Sequence, residues 1–239
     1  MADDGVRQAH SRSVFADERR YRAQRSVYRG SSGPDARDVL WSVLARQPPG
    51  ALLDVGCGEG ELAARAAEAG WSVLGVDTSE RMTALTATRG VPASCQDVRH
   101  LGLSSERFSC VVAAWLFHYL DEPDLPTAFA EIHRVLEPGG TLVAATQSER
   151  HMAELWDRLP DVTYRIPFAA EAAESLLAPW FTDVSVSDVE GTVVFPDYAT
   201  AREFVANQVR PVSLADGLAH FNDSLAVTRR SAILSAVRR

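Results

Sequence analysis

Three alternate glycines with an acid just before them form the stretch of this chain best suited to chemistry. Gly56, Gly58 and Gly60 follow the apolar run 52–55, which contains Asp54. Glycine adopts positive φ without strain and lets a ligand approach the backbone closely. The Ala-rich segment after Gly60 begins a helix whose first N–H groups point back at the loop. The pattern predicts a strand, a tight loop and a helix that bind a small polar ligand.

The spacing of these glycines argues against a dinucleotide. In the Gly-x-Gly-x-x-Gly fingerprint the third glycine packs helix on strand, but here it comes one place early and Glu61 stands in its position. Asp54 would also put negative charge beside a diphosphate. A second apolar strand over 71–77 ends in Asp77, at the distance along the chain where doubly wound folds hold a ribose diol. The carboxylate of Asp77 can accept hydrogen bonds from both hydroxyls.

The acid-x-Gly-x-Gly-x-Gly run resembles motif I of the class I S-adenosylmethionine-dependent methyltransferases of the small-molecule type. The likeness continues downstream, because 77–82 is similar to the family's Asp-x-Ser-x-x-Met. A short strand over 91–98 and a fourth over 108–114 follow, and 115–120 is similar to the segment beside the transferable methyl group. Residues 134–140 match the junction between helix and fifth strand. Four motifs in order across 52–146 make chance agreement a poor explanation.

The resemblance implies S-adenosyl-L-methionine as cofactor and S-adenosyl-L-homocysteine as product. It implies that Asp77 holds the ribose, that Met82 lies against the adenine face, and that Asp97 accepts the adenine amino group. An amino-terminal arm closes over the cofactor in this family, with an aromatic cap and an arginine that meets the methionine carboxylate. The cofactor-binding residues expected on this basis are Asp54, Gly56, Cys57, Gly58, Gly60, Asp77, Thr78, Met82, Asp97, Val98, Ala114, Tyr28 and Arg29. Those expected to face the substrate are Tyr21, Tyr119, His151 and Trp156.

His118 is the candidate catalytic base. It lies just beyond the predicted fourth strand, and a neutral imidazole can take a proton near neutral pH. The alternative is a structural histidine satisfied by backbone groups, with Tyr119 facing the pocket instead. The acids over 121–124 are typical of a solvated turn, so no metal site is expected.

The expected fold is α/β: a doubly wound, Rossmann-like sheet of seven strands in three α/β/α layers, with a small helical cap. The closing stretch 225–237 is expected to form a final strand or hairpin, and the resemblance implies that it is the antiparallel edge beside the sixth strand, over 182–195. Residues 1–33 are expected to form the arm over the cofactor and 34–239 the methyltransferase domain, with variable cap elements at about 147–168 and 196–224. Further helices are predicted over 35–46, 125–136, 147–156, 169–177 and 198–207.

Composition narrows the classes of function. The chain has 239 residues, 46% of them hydrophobic, and a formal charge of −8, which disfavours a nucleic-acid partner at long range. It contains no lysine, which excludes lysine nucleophiles and Walker-type loops. Three cysteines lack metal spacing, and neither a secretion signal nor a membrane-length apolar run is present. These features predict a cytoplasmic protein, as a monomer or homodimer.

The sequence therefore predicts a methyltransferase that acts on oxygen or nitrogen, with carbon as a further option, of a small molecule from bacterial secondary metabolism. Two alternatives stay open. One is an RNA-base methyltransferase, because 150–155 resembles a segment of a ribosomal-RNA guanine methyltransferase family. The other is a protein that binds the cofactor without methylating, such as a cyclase or a regulatory module.

Overall fold

Seven strands make up the central sheet of the computed structural model, which describes residues 22, 27–28, 30–160, 166–208 and 212–239. The strands are β1 (Ala51–Val55), β2 (Ser72–Asp77), β3 (Ala93–Cys95), β4 (Phe108–Ala114), β5 (Leu136–Gln147), β6 (Phe181–Phe195) and β7 (Leu225–Arg238). The helices are α1 (Ala36–Leu44), α2 (Glu61–Glu68), α3 (Glu80–Thr88), α4 (Leu125–Val135), α5 (Ala153–Trp156), α6 (Ala170–Leu177) and α7 (Tyr198–Ala206). Short 3₁₀ turns cover Phe117–Tyr119, Glu122–Asp124 and Val212–Gly217.

The strand order is β3-β2-β1-β4-β5-β7-β6, and β1 to β5 are parallel. The chain adds strands to one side of β1 up to β3 and to its other side from β4 onward, and in doubly wound folds this switch creates a crevice at the carboxyl ends of the strands. This topology confirms the predicted Rossmann-like sheet with an antiparallel last strand.

The predicted position of the last strand was wrong. β7 lies inside the sheet, antiparallel to both β5 and β6, and β6 forms the edge. The burial of the side chains explains the order, because Ala232, Ile233 and Leu234 of β7 are all enclosed. β6 carries a run of exposed residues and leaves Val194 57% exposed, which suits an edge strand.

Helices cover both faces of the sheet and form separate apolar layers. Leu40 and Leu44 of α1 pack on one face. On the other face Phe129 of α4 meets Phe117 and Phe168, with ring centroids 5.0–5.7 Å apart in each pair. A third cluster, which we call the cap core, joins Trp156 of α5 to α7 and the ends of β6 and β7. These three clusters pack the two faces of the sheet and the cap.

The helix predicted over 147–156 was also wrong over most of its length. β5 runs on to Gln147, which pairs with Ser231, and the next residues follow β7, since Met152 donates its N–H to the Thr228 carbonyl. Met152 then takes a left-handed φ of +54°, and only the short α5 is helical. Pairing with β7 outweighs the helical propensity of this segment because the backbone N–H and C=O groups already have partners on β7.

Candidate functional site

The glycine loop is a tight turn pressed between β1, β2 and α3. Gly56, Gly58 and Gly60 have φ of +73°, +54° and +74°, in the left-handed region that favours glycine. The amides of Gly56 and Cys57 both donate to the Val76 carbonyl, at 2.8 and 3.0 Å. A Cβ at Gly60 would lie 2.9 Å from the Cα of Thr86. The loop therefore fits against α3 only with glycine at this position.

Asp77 closes the other side of the loop. Its Oδ2 accepts the Gly58 N–H at 3.0 Å, and its Oδ1 accepts the Ser79 N–H at 2.9 Å. Burial raises the pKa of this carboxyl, while these backbone hydrogen bonds oppose the rise. Thr78, next in the chain, is exposed. The carboxylate at the end of β2 is thus fixed beside the glycine loop, where the sequence predicts the ribose.

Asp54 is a buried carboxyl with an unsatisfied oxygen. Only 2% of the residue is exposed, and its Oδ2 has no hydrogen-bond partner among the described residues. Burial, helped by the nearby charge of Asp77, raises the pKa of Asp54 to about 7. An enclosed acceptor of this kind would be stabilised by a cationic or N–H group, because leaving it unpaired is costly.

A cavity of about 310 Å³ lies beside Asp54, between the glycine loop and α1. This volume is within the range of small-molecule sites. The residues lining it are Asp35, Arg37, Asp38, Leu40, Asp54, Gly56, Cys57, Glu59, Glu61, Leu62, Arg65, Ala114 and Trp115. The cavity is therefore lined in part by four residues that are expected to bind the cofactor: Asp54, Gly56, Cys57 and Ala114.

Arg37 and Trp115 are among the residues of this cavity that sequence reasoning missed. Arg37 is the second residue of α1, and its guanidinium lies 5.5 Å from the centroid of the Trp115 ring. Trp115 follows β4 directly and has a φ of +55°, which is rare for a bulky side chain and common at functional sites. The motif position of Trp115 was visible in the sequence, but its strained backbone was not.

His118 lies in the 3₁₀ turn after β4, as predicted. Its Nδ1 is enclosed and has no hydrogen-bond partner in the described part of the chain. Burial, with a smaller effect of the charge of His151, lowers the pKa of His118 to about 3. Tyr119 packs beside it, with ring centroids 4.2 Å apart. The imidazole is therefore neutral at physiological pH and has an unused polar atom, unlike the backbone-satisfied histidine of the alternative.

His151 connects Tyr28 to the end of β5. Its Nε2 lies 3.4 Å from the Tyr28 hydroxyl and 3.4 Å from Nε2 of Gln147, while its Nδ1 is 2.8 Å from the Arg230 carbonyl oxygen. Burial lowers the pKa of His151 to about 4 and raises that of Tyr28 to about 12. His151 and Tyr28 thus form a pair of neutral polar side chains, and His151 also influences the pKa of His118.

The remaining predicted residues have varied surroundings. Asp97 is paired with Arg99, whose Nε and Nη2 donate to its two oxygens at 2.9 and 2.6 Å, which lowers the pKa of Asp97. Met82 and Val98 are buried, with 0% and 4% of each residue exposed. Trp156 packs in the cap core against Phe204. Tyr21 and Arg29 lie outside the described residues.

Neither a metal cluster nor a membrane span is found within the described residues. No group of three or more histidines, cysteines, aspartates and glutamates there is arranged to hold a metal ion. No helix in the same part of the chain is both long and apolar enough to cross a bilayer.

The glycine loop, the acid at the end of β2 and the strand order together define a class of protein. Residues 52–140 match the family described as "Methyltransferase domain". These residues carry the methyltransferase domain of the class I S-adenosylmethionine-dependent type, as the sequence predicts.

Two curated relatives illustrate the family. The chain is 29% identical over 141 residues to the candidate methyltransferase YqeM of Bacillus subtilis, which covers 56% of each chain. It is 27% identical over 143 residues to the malonyl-[acyl-carrier protein] O-methyltransferase of Pseudescherichia vulneris, which covers 59% of this chain and 56% of the relative. The chain thus spans about half the length of the curated relatives it matches.

A solved structure extends the likeness beyond the matched domain. The [4+2]-cyclase SpnF is 27% identical and superposes with a TM-score of 0.58 over 84% of this chain and 78% of its own. The resemblance therefore includes a protein whose named reaction is a cyclisation.

Proposed function

We propose that this chain binds S-adenosyl-L-methionine and transfers its methyl group to an oxygen or nitrogen atom, with carbon as a further option, of a small molecule. A role in bacterial secondary metabolism and a cytoplasmic location are part of the proposal. The observation that carries it is the unsatisfied carboxyl of Asp54, which lies beside the glycine loop on the wall of the cavity.

The residues present fit this cofactor. The ammonium group of its methionine end would pair with Asp54, and Arg37 or Arg65 of the same cavity would pair with its carboxylate. Asp77 retains acceptor capacity for a ribose diol although it already accepts two backbone N–H groups. Asp97 and Val98 would contact the adenine, with Asp97 acting as a carboxylate already paired with Arg99.

The chain's own residues would act mainly by alignment. When bound, the cofactor would supply the methyl group as an electrophilic carbon on a sulfonium. Holding an acceptor at attack distance contributes about 7–11 kcal/mol to such reactions. His118, neutral and with a free Nδ1 in the described residues, would accept the proton of a hydroxyl acceptor. An already neutral nitrogen acceptor would not need this step.

The arm and the cap belong to the same proposal. Ser32 pairs with Thr192 of β6 through two backbone hydrogen bonds of 2.9 and 3.0 Å. Arg22 forms an ion pair of 2.7 Å with Glu59 of the glycine loop. These contacts support an amino-terminal arm, residues 1–33, that covers the cofactor, with the cap elements at about 147–168 and 196–224 setting substrate choice.

A second candidate is a cyclase that keeps the cofactor without using its methyl group. The 27% identity to SpnF over most of the chain favours it over other non-methylating functions. Release of S-adenosyl-L-homocysteine distinguishes the two, because only a methyltransferase produces it with each turnover.

Cofactor binding is tested by thermal unfolding with S-adenosyl-L-methionine, with NADH as the control ligand. Saturation at about one hundred times the dissociation constant adds about 2.7 kcal/mol, which raises the melting temperature of a chain of this size by about 5–10 °C. The Asp77→Ala variant should lose this rise, whereas a variant at exposed Asp188, on edge strand β6, should keep it. An equal rise with NADH, or none with either ligand, would overturn the proposal.

A further inference from the structure

Arg229 of β7 is a buried cation that lacks a carboxylate partner among the described residues. Only 6% of it is exposed. Its Nη2 donates to the Pro34 carbonyl at 2.6 Å, and its Nε is enclosed without any hydrogen-bond partner in that part of the chain. Burial of a guanidinium without an anion is unfavourable, so such residues are normally paired.

The neighbouring arginine shows the contrast. Arg230 points to the opposite side of the strand and is satisfied there. Its Nε donates to Glu190 at 3.1 Å, and its Nη1 donates to the Arg150 carbonyl at 3.0 Å and lies 4.0 Å from Glu154. Two consecutive arginines thus share a strand, but the more deeply buried one has no anionic partner among the residues that the structure describes.

A glycine on the neighbouring strand leaves space for the guanidinium of Arg229. Gly191 lies opposite it in the register of β6 and β7, and a Cβ there would be 2.7 Å from Nη2 of Arg229. The positive charge of Arg229 acts on Tyr28 and on His151. The residues on either side of Arg229 contact the segment that carries His151, because the Thr228 carbonyl accepts the Met152 N–H at 2.8 Å and the Arg230 carbonyl oxygen lies 2.8 Å from Nδ1 of His151.

We propose that Arg229 binds a carboxylate of the methyl acceptor, which makes the acceptor an anionic small molecule. This inference rests on the proposed methyltransferase function. A guanidinium matches a carboxylate in shape and charge, and the unused Nε–H allows binding while the Pro34 contact stays intact. The cofactor carboxylate has other partners, because Arg37 and Arg65 line the cavity beside Asp54 and Arg229 does not.

The test uses the full chain saturated with S-adenosyl-L-homocysteine, which fills the cofactor site. Acetate is titrated against chloride at constant ionic strength, and the melting temperature is followed for wild type, Arg229→Met and the control Arg230→Met. We expect acetate to raise the melting temperature of wild type and of Arg230→Met. In Arg229→Met the apparent affinity for acetate should fall about tenfold or more.

Each other outcome decides against the inference. Absence of an acetate-specific rise in wild type, or an undiminished rise in Arg229→Met, would overturn it. A loss of S-adenosyl-L-homocysteine affinity in Arg229→Met would assign the arginine to the cofactor instead. If Arg229→Met does not unfold cooperatively, the same comparison is made with Arg229→Lys. This variant keeps the positive charge but loses the planar set of N–H donors that binds a carboxylate through two hydrogen bonds. Failure of wild type to bind S-adenosyl-L-homocysteine is seen before acetate is added, and it would count against the proposed function.

Discussion

Asp54 combines burial, an unsatisfied oxygen and a strongly raised pKa. Because the residue is 2% exposed, its charged form loses the solvation that it has in the unfolded chain. Asp77 adds a second negative charge nearby, which raises the pKa further, to about 7. The folded protein therefore holds a proton on Asp54 that the unfolded chain releases at lower pH.

The free energy of unfolding should reflect this proton. The folded pKa of Asp54 lies above the unfolded value, so stability is greatest below the unfolded pKa and declines as pH rises to about 7. Asp54→Asn cannot ionise and should lack this decline. At pH 8 the variant should be more stable than wild type by on the order of 4 kcal/mol, measured by urea unfolding.

A control separates this effect from a change in net charge. Asp188 is exposed on β6, and Asp188→Asn should leave the pH dependence as it is in wild type. Asp54→Asn should also weaken S-adenosyl-L-methionine binding, because an amide pairs poorly with an ammonium group. Equal pH dependence in wild type and Asp54→Asn would show that Asp54 does not hold the proton.

His118 gives a prediction about the reaction rather than the fold. For a hydroxyl acceptor, His118→Asn should lower kcat by about 10²-fold, the low end for general bases because a lowered pKa makes the imidazole a weak base, while the Kd for S-adenosyl-L-methionine stays unchanged. Since its pKa is lowered to about 3, His118 should cause no acid limb in the rate between pH 5 and 8. Steady-state kinetics over this pH range tests the role of His118 as the base, with His133→Asn on α4 as the control. Turnover at the wild-type rate by His118→Asn would exclude that role.

At the scale of elements, the glycine loop couples β1, β2 and α3. Backbone N–H groups of the loop bind the Val76 carbonyl and the Asp77 carboxylate, and Gly60 contacts Thr86 of α3. Several constraints therefore meet in one short turn, so a small change there should affect both stability and the cofactor site.

The variants Gly60→Ala and Gly70→Ala test whether the packing of the loop on α3 is coupled to cofactor binding. Both glycines have positive φ, +74° and +93°, but a Cβ at Gly70 meets nothing within 4 Å. A left-handed alanine costs about 1–2 kcal/mol at either position, and the contact with Thr86 should add to the cost at Gly60. Urea unfolding and calorimetric titration should show that only Gly60→Ala also weakens cofactor binding; equal losses of stability with intact binding would contradict the coupling.

The cap depends on pairing between elements rather than on local propensity. Thr228 of β7 donates its N–H and hydroxyl to Glu154 at 3.0 and 2.7 Å, which fixes α5 beside the sheet. This contact holds Trp156 in the cap core and His151 at the site. One strand therefore positions both a structural and a functional part of the cap.

At the scale of the whole molecule, charge favours a small acceptor over RNA. The chain carries a net charge of −8, and all of its fixed cations are arginines. Several of these are occupied by carboxylates; Arg99, for example, binds both Asp97 and Asp124. A polyanion would therefore be repelled at long range.

The protein should show no tight, salt-sensitive RNA binding. Fluorescence polarisation with a labelled RNA hairpin, measured from low to physiological salt, tests this directly. A protein that contacts many phosphates loses affinity steeply as salt rises, whereas this chain should bind weakly at every concentration. Steeply salt-dependent affinity would instead support the RNA-base methyltransferase alternative.

The sequence by itself determined the family, the parallel strands and the loop. Glycines and the acids at strand ends are local signals, since backbone freedom and charge at a turn depend on few neighbours. The helices α1, α4, α6 and α7 and the long last strand were likewise readable from periodicity and end signals.

Only the tertiary structure decided the rest. The place of β7 inside the sheet, and the turn that replaces a helix after Gln147, depend on contacts between segments far apart in sequence. The raised pKa of Asp54 and the enclosure of Arg229, which has no carboxylate partner within the described ranges, depend on burial, which no local pattern reveals. These properties arise from surroundings supplied by distant segments, because desolvation and partner choice are set by the packed neighbours of a side chain and not by its own sequence context.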